Sequence, residues 1–392
     1  MRILYLADIR FPLERANGIQ TFETCRALAA RGHDVTLFVR PDTTHPPRDP
    51  WAFYGAAPLD RLQIVTTWSL PGATRRGGYL AAACRRVMTS KADVVFTRDL
   101  GAAAMALRLP RSMRPAVVYE AHGYAPAVSA ELPRLLGTAT MPSPAKLRRL
   151  AAREARVWRL AEGYVTLTKA HRAELTERFG PRDNAAVVAD GTRLQTPRTF
   201  TGAPDGAPQV GYAGHLYPWK GVDVLIEALA LLPAVHGLIV GGHPGERDRS
   251  RLEALARARG VADRLEFSGW LPPADVASAI GRCQILALPN VRSTISERYT
   301  SPLKLFEYLA AGRAVIASDL PALREVLTDD VNAVLVEPGQ PRSLAGAIDA
   351  LLSDRARLDR LSRAAFDAAA GYTWDARAER LEAVLEAIGA RR

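Results

Sequence analysis

Two short segments in the second half of the chain combine residues that could bind a phosphorylated ligand. In GYAGHLYPWKG (residues 211–221), His215 and Lys220 stand five residues apart, and Gly214 allows the backbone to approach a ligand closely. Two such side chains suit a diphosphate. A lysine ahead of a helix is more often simply solvated, so this segment alone leaves both interpretations open.

The second segment, YTSPLKLFEYLAAG (residues 299–312), predicts the start of a helix. Ser301 is a natural N-cap and Pro302 a natural first helical residue. A helix N-terminus attracts anions through its free N–H groups and its dipole. Glu307 follows about a turn and a half later, where its carboxylate could accept hydrogen bonds from both hydroxyls of a ribose. An ordinary capped helix with a surface glutamate explains the same residues equally well.

The elements that position these segments form two sets of alternating strands and helices. In the first set, the strands are predicted at 3–7, 35–39, 94–97, 117–119, 164–168 and 186–188, with a loop over 8–18 and a helix over 21–31. In the second set, they are predicted at 210–212, 238–240, 265–268, 285–288, 315–317 and 333–336, with helices over 221–232 and 252–259. Such alternation predicts mostly parallel sheets.

The Pro- and Gly-rich stretch 196–208 separates the two sets. We therefore predict an α/β protein of two Rossmann-like domains facing across a cleft, residues 1–195 and 205–372. A helix that begins after Thr373 returns to the first domain. Its apolar face consists of Trp374, Ala378, Leu381, Leu385 and Ile388.

Composition and charge limit the class of protein. The chain has 392 residues, 48% of them hydrophobic and 24% charged, which is ordinary for a globular protein of two domains. It has no run of 18 apolar residues, and its start reads as a first strand rather than a leader. Three widely spaced cysteines predict no disulfide framework and favour the cytoplasm.

The positive charge is concentrated in the first half of the chain. Residues 1–200 contain 30 Lys and Arg against 17 Asp and Glu, and the remainder contains 22 against 24. A field of this sign favours an anionic membrane surface, a nucleic acid or a phosphorylated substrate, although arginine-rich solvated helix faces explain it equally well. Few aromatic residues accompany the cations between 75 and 159, which argues against nucleic-acid binding.

Taken together, the segments resemble the retaining family 4 glycosyltransferases of the GT-B fold. The order of the motifs carries the resemblance: Asn17-Gly18, Gly32-His33-Asp34-Val35, His122-Gly123 after a strand, Asp190-Gly191, Gly214-His215, Lys220-Gly221, Glu307-Tyr-Leu-Ala-Ala-Gly312 and Tyr372-Thr-Trp374. The resemblance implies a UDP- or GDP-sugar donor in the second domain and an acceptor in the first. It implies catalytic roles for His122, His215 and Lys220, and a donor site that includes Gly18, Gly214, Leu271, Tyr299, Ser301, Pro302, Leu303 and Glu307.

Two residues depart from the family pattern. Tyr299 stands where the family has a first glutamate, which commonly contacts the donor sugar, so the sugar is left open. His215 stands where an arginine usually meets the diphosphate. A histidine binds phosphate either as a cation or as a neutral N–H donor. His243, after Gly241-Gly242, lies within reach of the predicted cleft, and no role is assigned to it.

The resemblance implies transfer with retention of configuration, in cell-envelope glycan or glycolipid synthesis. No Asp-x-Asp motif has a suitable setting, so we predict a metal-independent reaction without a further cofactor. The alternatives are a sugar-nucleotide epimerase or hydrolase of the same fold, and a non-catalytic nucleotide- or nucleic-acid-binding protein.

The acceptor is expected to be lipid-linked or phosphorylated. A predicted helix over 144–160 interleaves six cations with apolar residues, and two interpretations of it stay open. It lies against an anionic bilayer at the inner face of the membrane, or it packs its apolar stripe inside the domain.

Overall fold

A computed structural model describes residues 1–68, 72–137, 140–194, 198–242 and 248–389. The chain divides into two compact units. Unit 1 comprises Met1–Ser129, Pro142–Asp190 and Trp374–Arg392, and unit 2 comprises Ala130–Met141 and Gly191–Thr373. His243 and the first two residues of the predicted linker fall outside the described residues. Each unit is built on a parallel sheet of its own.

Unit 1 contains a seven-stranded parallel sheet in the order β3-β2-β1-β4-β5-β6-β7. Its strands are β1 (Arg2–Phe11), β2 (Asp34–Pro41), β3 (Leu62–Thr66), β4 (Val94–Thr97), β5 (Ala116–Ala121), β6 (Gly163–Thr166) and β7 (Ala185–Val187). The main helices of this part of the chain are α1 (Ala16–Ala30), α2 (Pro50–Phe53), α3 (Arg75–Thr89), α4 (Leu100–Ala106), α5 (Ala125–Leu135), α6 (Pro144–Leu160) and α7 (Lys169–Phe179).

Unit 2 contains a six-stranded parallel sheet in the order β10-β9-β8-β11-β12-β13. Its strands are β8 (Gln209–Gly214), β9 (His236–Gly241), β10 (Leu265–Gly269), β11 (Ile285–Leu288), β12 (Ala314–Ser318) and β13 (Val334–Val336). Its helices are α8 (Val222–Ala230), α9 (Asp248–Ala258), α10 (Pro273–Gly281), α11 (Leu303–Ala311), α12 (Pro321–Arg324), α13 (Pro341–Ser353) and α14 (Arg355–Ala368), together with a π-helical turn, Ile295–Tyr299.

The strand order identifies where each unit can hold a ligand. The direction of winding reverses between β1 and β4 in unit 1, and between β8 and β11 in unit 2. Open parallel sheets bind ligands at the carboxyl ends of the strands beside such a reversal. In unit 2 these ends are Gly214, which closes β8, and the residues just after Leu288 of β11. The first predicted phosphate segment, residues 211–221, passes through this edge at Gly214.

The last helix, α15 (Trp374–Gly389), belongs to unit 1, as predicted. All five residues of its predicted apolar face are buried. Strands β4 and β11 and helix α6 also begin and end at the predicted residues.

Three sequence predictions are wrong in detail. The segment predicted as a loop over 8–18 extends β1 to Phe11 and begins α1 at Ala16, because the chain after Leu6 resumes pairing with β2 after a register shift. Strand β3 was not predicted, since an edge strand with half-exposed polar positions lacks a clear apolar run. Helix α11 begins one residue late, with Pro302 rather than Ser301 at the N-cap position, because the backbone of Pro302 is still extended.

Candidate functional site

The carboxyl edge of the unit 2 sheet places the first predicted segment beside the winding reversal. Gly214 ends β8 with a φ of 133°, a backbone conformation that favours glycine. Lys220 ends a short 3₁₀ turn (Pro218–Lys220) just before α8. The carbonyl of the preceding Trp219 accepts a hydrogen bond from the Val291 N–H at 3.2 Å. This bond ties the lysine turn to the chain that follows β11.

His215 is held by an aromatic stack. Its ring lies 5.0 Å from that of Tyr217, and Tyr217 stacks on Trp219 at 4.7 Å. The carbonyl of His215 accepts a 2.5 Å hydrogen bond from the Tyr212 hydroxyl. The stack fixes the orientation of the imidazole at the end of β8, between Gly214 and the lysine turn.

The second predicted segment places the N-terminus of α11 at the same site. The N-cap residue, Pro302, supplies no side-chain hydrogen bond to this helix, and the Leu305 N–H donates to the Pro302 carbonyl at 2.9 Å. The start of the helix, with its dipole and its first N–H groups, suits an anion. Ser301, Pro302 and Leu303 are half-buried at this terminus. Burial raises the pKa of Glu307 to about 7, and the charge of Lys304 opposes this shift. Burial lowers the pKa of Lys220 to about 8.

Two predicted donor residues of unit 2 are largely covered by protein. Tyr299 is only 3% exposed at the end of the π-helical turn. Leu271, in the loop after β10, is half-buried and packs against the apolar cluster that includes Ala213. Glu297, two residues before Tyr299, forms an ion pair with Arg292 at 2.9 Å. It is therefore engaged with a residue that precedes its own turn.

Two buried polar residues at this edge are not among the residues predicted for the site. Lys304, in the first turn of α11, is 8% exposed, and Asn290, just after β11, is 1% exposed. Neither the Lys304 ammonium nor the Asn290 amide has a hydrogen-bond partner among the described residues. Buried polar groups are rarely left unpaired. The sequence predicts a helix start at Lys304 and a strand end before Asn290, but the burial of these side chains depends on contacts that the sequence does not reveal.

The predicted residues Gly18 and His122 belong to unit 1. Gly18 lies in the first turn of α1 rather than in a loop before it. A Cβ atom there would collide with the Leu13 carbonyl oxygen and would lie 2.9 Å from the Tyr54 hydroxyl. The Tyr54 hydroxyl in turn donates to that carbonyl at 2.9 Å. Close packing of α1 on this turn therefore requires glycine at position 18.

His122 directly follows β5, as predicted, and both of its ring nitrogens are engaged. Nδ1 lies 3.0 Å from an Arg98 guanidinium nitrogen, and Nε2 lies 2.6 Å from Glu120 Oε1. Because arginine only donates, Nδ1 is the acceptor and the proton resides on Nε2. Burial and the charge of Arg98 lower the pKa of His122 to about 4, although Glu120 opposes them. The imidazole is therefore neutral at physiological pH.

Glu120 joins His122 to the C-terminal helix. It accepts hydrogen bonds from Gln20 at 2.6 Å and from Arg377 of α15 at 2.5 Å. Glu120 and Arg377 are both fully buried. Burial alone would raise the pKa of Glu120, but the charge of Arg377 and the hydrogen bond from His122 outweigh it and lower the pKa to about 2. This buried ion pair fixes the carboxylate that orients the histidine.

Two further observations concern metals and membranes. Among the described residues, no group of three or more His, Cys, Asp or Glu side chains is arranged to hold a metal ion. Within the same residues, no helix has both the length and the apolar character needed to span a bilayer.

Helix α6 has one buried and one exposed set of side chains. Val157 and Trp158 are buried inside unit 1, whereas Lys146, Arg148 and Arg149 are exposed. The apolar stripe of α6 thus packs within the domain at its C-terminal end.

Comparison with known families and structures agrees with this architecture. The family model for glycosyl transferases group 1 matches residues 195–368, and that for the glycosyl transferase 4-like domain matches residues 17–191. The chain belongs to the family 4 type of glycosyltransferases with the GT-B fold. It is therefore a glycosyltransferase, and the family resemblance predicted from the motifs is confirmed.

Individual relatives cover most or part of the chain. A D-inositol 3-phosphate glycosyltransferase of Xylanimonas cellulosilytica is 28% identical over 95% of this chain and 94% of its own length. The enzyme of the same name from Nocardia farcinica is 31% identical over 59% of this chain and 53% of its own length.

Solved structures share the fold at lower identity. Sucrose-phosphate synthase from Thermosynechococcus elongatus matches with a TM-score of 0.80 and 19% identity, covering 100% of both chains. Anabaena HepE in complex with UDP-glucose matches with a TM-score of 0.74 and 18% identity, covering 98% of this chain and 99% of HepE. These structures confirm the predicted GT-B fold.

Proposed function

We propose that this glycosyltransferase transfers a sugar from a UDP- or GDP-sugar to an acceptor hydroxyl, with retention of anomeric configuration and without a metal ion. The observation that carries the proposal is the grouping of Gly214, Lys220, Glu307 and the N-terminus of α11 at one edge of the unit 2 sheet. This grouping combines cations and N–H donors for a diphosphate with a carboxylate for a ribose. The UDP-glucose bound to HepE supports testing uridine nucleotides first.

In the proposed reaction, the bond between the anomeric carbon and the diphosphate oxygen breaks while the acceptor hydroxyl attacks from the same face. The acceptor proton passes to the departing phosphate oxygen, and the nucleoside diphosphate leaves. Lys220, with His215 and the N–H groups of α11, stabilises the negative charge that accumulates on the diphosphate. Glu307 holds the ribose. His122, neutral and held at both nitrogens, is proposed to line the donor sugar rather than to transfer a proton.

We propose that unit 1 binds the acceptor and that the acceptor is anionic. The excess of Lys and Arg in residues 1–200 supports this assignment. The names of the relatives, which refer to an inositol phosphate, support a phosphorylated acceptor. A lipid-linked phosphate would present the same anionic group to unit 1 as a soluble sugar or inositol phosphate. Inositol 3-phosphate is therefore the first soluble acceptor to test.

The test measures nucleoside diphosphate release from UDP- and GDP-sugars, with and without acceptor, in the presence of EDTA. We expect acceptor-dependent release that persists in EDTA and a product that keeps the donor's anomeric configuration by NMR. Lys220→Ala should lower turnover by about a hundredfold or more, the usual effect of losing one preorganised donor to a developing oxyanion. Lys91→Ala, at an exposed lysine of unit 1, is the control.

Three outcomes would count against the proposal. Donor consumption that needs no acceptor would favour an epimerase or hydrolase. Activity that EDTA abolishes would overturn metal independence. A Lys220→Ala protein with near-normal turnover would remove Lys220 from the site.

A further inference from the structure

The side chain of Lys304 is buried at the donor edge of unit 2 without a partner of opposite charge. Lys304 is the second residue of α11, and only 8% of it is exposed. Its ammonium group has no hydrogen-bond partner among the described residues, and no described carboxylate lies within ion-pair distance. Burying an unpaired ammonium is costly, so structures seldom keep one without a use for it.

The surroundings of this ammonium are fixed by the end of β8. Nζ lies 3.7 Å from the centre of the Tyr212 ring, a distance typical of a cation–π contact. The hydroxyl of Tyr212 is engaged with the His215 carbonyl, which holds the ring in place. On its other side, Nζ lies 3.8 Å from the position that a Cβ of Gly214 would occupy. The ammonium thus lies beside bare, exposed backbone at the winding reversal.

The charges near Lys304 favour an anionic ligand. Burial and the nearby charge of Lys220 lower the pKa of Lys304 well below its ordinary value, and Glu307 opposes them. The dipole of α11 adds partial positive charge at the start of the helix. Lys304 is therefore influenced by a second lysine, by the start of its own helix and by Glu307, whose own pKa is raised to about 7. A bound phosphate would compensate this arrangement.

We propose that Lys304 is a further phosphate-binding residue of the donor site, completing the diphosphate site formed by Lys220 and the N-terminus of α11. This inference rests on the proposed function. Because Lys304 is held against Tyr212 and Gly214, it meets the diphosphate at the end of β8. A donor diphosphate would favour the protonated ammonium, so nucleotide binding should be accompanied by proton uptake.

The test is calorimetric binding of UDP, UDP-glucuronate and uridine to the wild-type protein and to Lys304→Met, in two buffers of different ionisation enthalpy. Methionine keeps the length and apolar stem of the side chain, so the variant should fold as the wild type does. Removing one hydrogen bond between a charged side chain and phosphate should lower the affinity for UDP by about 10- to 100-fold. We expect that loss for UDP, an unchanged affinity for uridine, and a smaller proton uptake, because Lys220, with a pKa of about 8, still takes up protons.

Lys91→Met is the matched control, because it removes an exposed lysine of unit 1. It should bind UDP with wild-type affinity and wild-type proton uptake. A melting temperature of Lys304→Met at or above that of the wild type would show that the variant is folded. If the melting temperature of Lys304→Met is lower, the measurements are repeated with Lys304→Gln, for which we expect the same loss of UDP affinity and the same decrease in proton uptake.

The remaining outcomes separate this inference from the function on which it rests. Wild-type protein that binds neither UDP nor GDP would overturn both. If the wild type binds UDP and Lys304→Met or Lys304→Gln binds it with the same affinity and the same proton uptake, the role of Lys304 alone would be overturned. A loss confined to UDP-glucuronate, with UDP unaffected, would show that Lys304 binds a sugar carboxylate instead and would also overturn the inference.

Discussion

Replacing Arg377 with methionine should destabilise unit 1 and disturb His122 at the same time. The guanidinium is fully buried, and it bonds to Glu120 at 2.5 Å and to the carbonyls of Val188 and Ala189 at 3.0 and 2.9 Å. Removing one partner of a buried ion pair is far more harmful than replacing both, because a buried charge is left uncompensated. Here the uncompensated charge would be Glu120, which holds Nε2 of His122.

The pKa of Glu120 gives the scale of the effect. The carboxyl titrates at about 2 in the folded protein against an ordinary value of 4.5. At 1.36 kcal/mol for each pH unit, this difference corresponds to about 3 kcal/mol of stability at neutral pH. The loss of one partner from a buried pair typically costs about 3–5 kcal/mol. We therefore expect Arg377→Met to lower the free energy of unfolding by about 3–5 kcal/mol.

The loss should depend on pH in a defined direction. Since the folded-state pKa of Glu120 lies below its unfolded value, the wild-type stabilisation is present above about pH 4.5 and is lost as the pH falls towards 2. Without Arg377, that stabilisation is missing at neutral pH. The difference between wild type and variant should therefore be greatest at neutral pH and should shrink under acidic conditions.

The assay combines urea unfolding with hydrogen exchange of the α15 amides, which reports on unit 1 specifically. Arg380→Met, at an exposed position of the same helix, is the matched control and should change stability by less than about 1 kcal/mol. The double variant Arg377→Met/Glu120→Gln should recover part of the loss, because it removes the buried charge. A single variant as stable as Arg380→Met, or a double variant no better than the single one, would refute the reasoning.

Two further predictions concern pH and membranes. Donor binding should be strongest between about pH 7 and 8. Glu307, with a pKa of about 7, must be ionised to accept hydrogen bonds from the ribose hydroxyls. Lys220, with a pKa of about 8, must be protonated to bind phosphate. Binding titrations across pH should lose the acidic limb in Glu307→Gln and the alkaline limb in Lys220→Arg; unchanged limbs would contradict both assignments. If α6 meets an anionic bilayer, the protein should co-sediment with anionic liposomes at low but not high salt. The double variant Arg148→Glu/Arg149→Glu should then weaken liposome binding at least tenfold, because each cation near the surface contributes about 1 kcal/mol of binding free energy. A wild-type protein that stays in the supernatant at low salt would leave a soluble acceptor as the proposal.

The sequence by itself determined the regular framework. Strands β4 and β11 and helix α6 begin and end where their apolar runs, caps and prolines indicate. The face of α15 follows from the spacing of its apolar residues. These features depend on residues that are neighbours in the chain, and burial of apolar side chains at a period of two or 3.6 is a local property. The family resemblance rested on the same kind of short, ordered motif.

Only the tertiary structure decided the electrostatics of the candidate sites. The partner of Glu120 is Arg377, 257 residues away, and no local pattern connects them. Lys304 looked like any lysine in a helical first turn until the fold placed it against Tyr212 and out of water. The physical reason is that a side chain's charge state depends on desolvation and on nearby charges, and both are set by contacts between segments far apart in the chain.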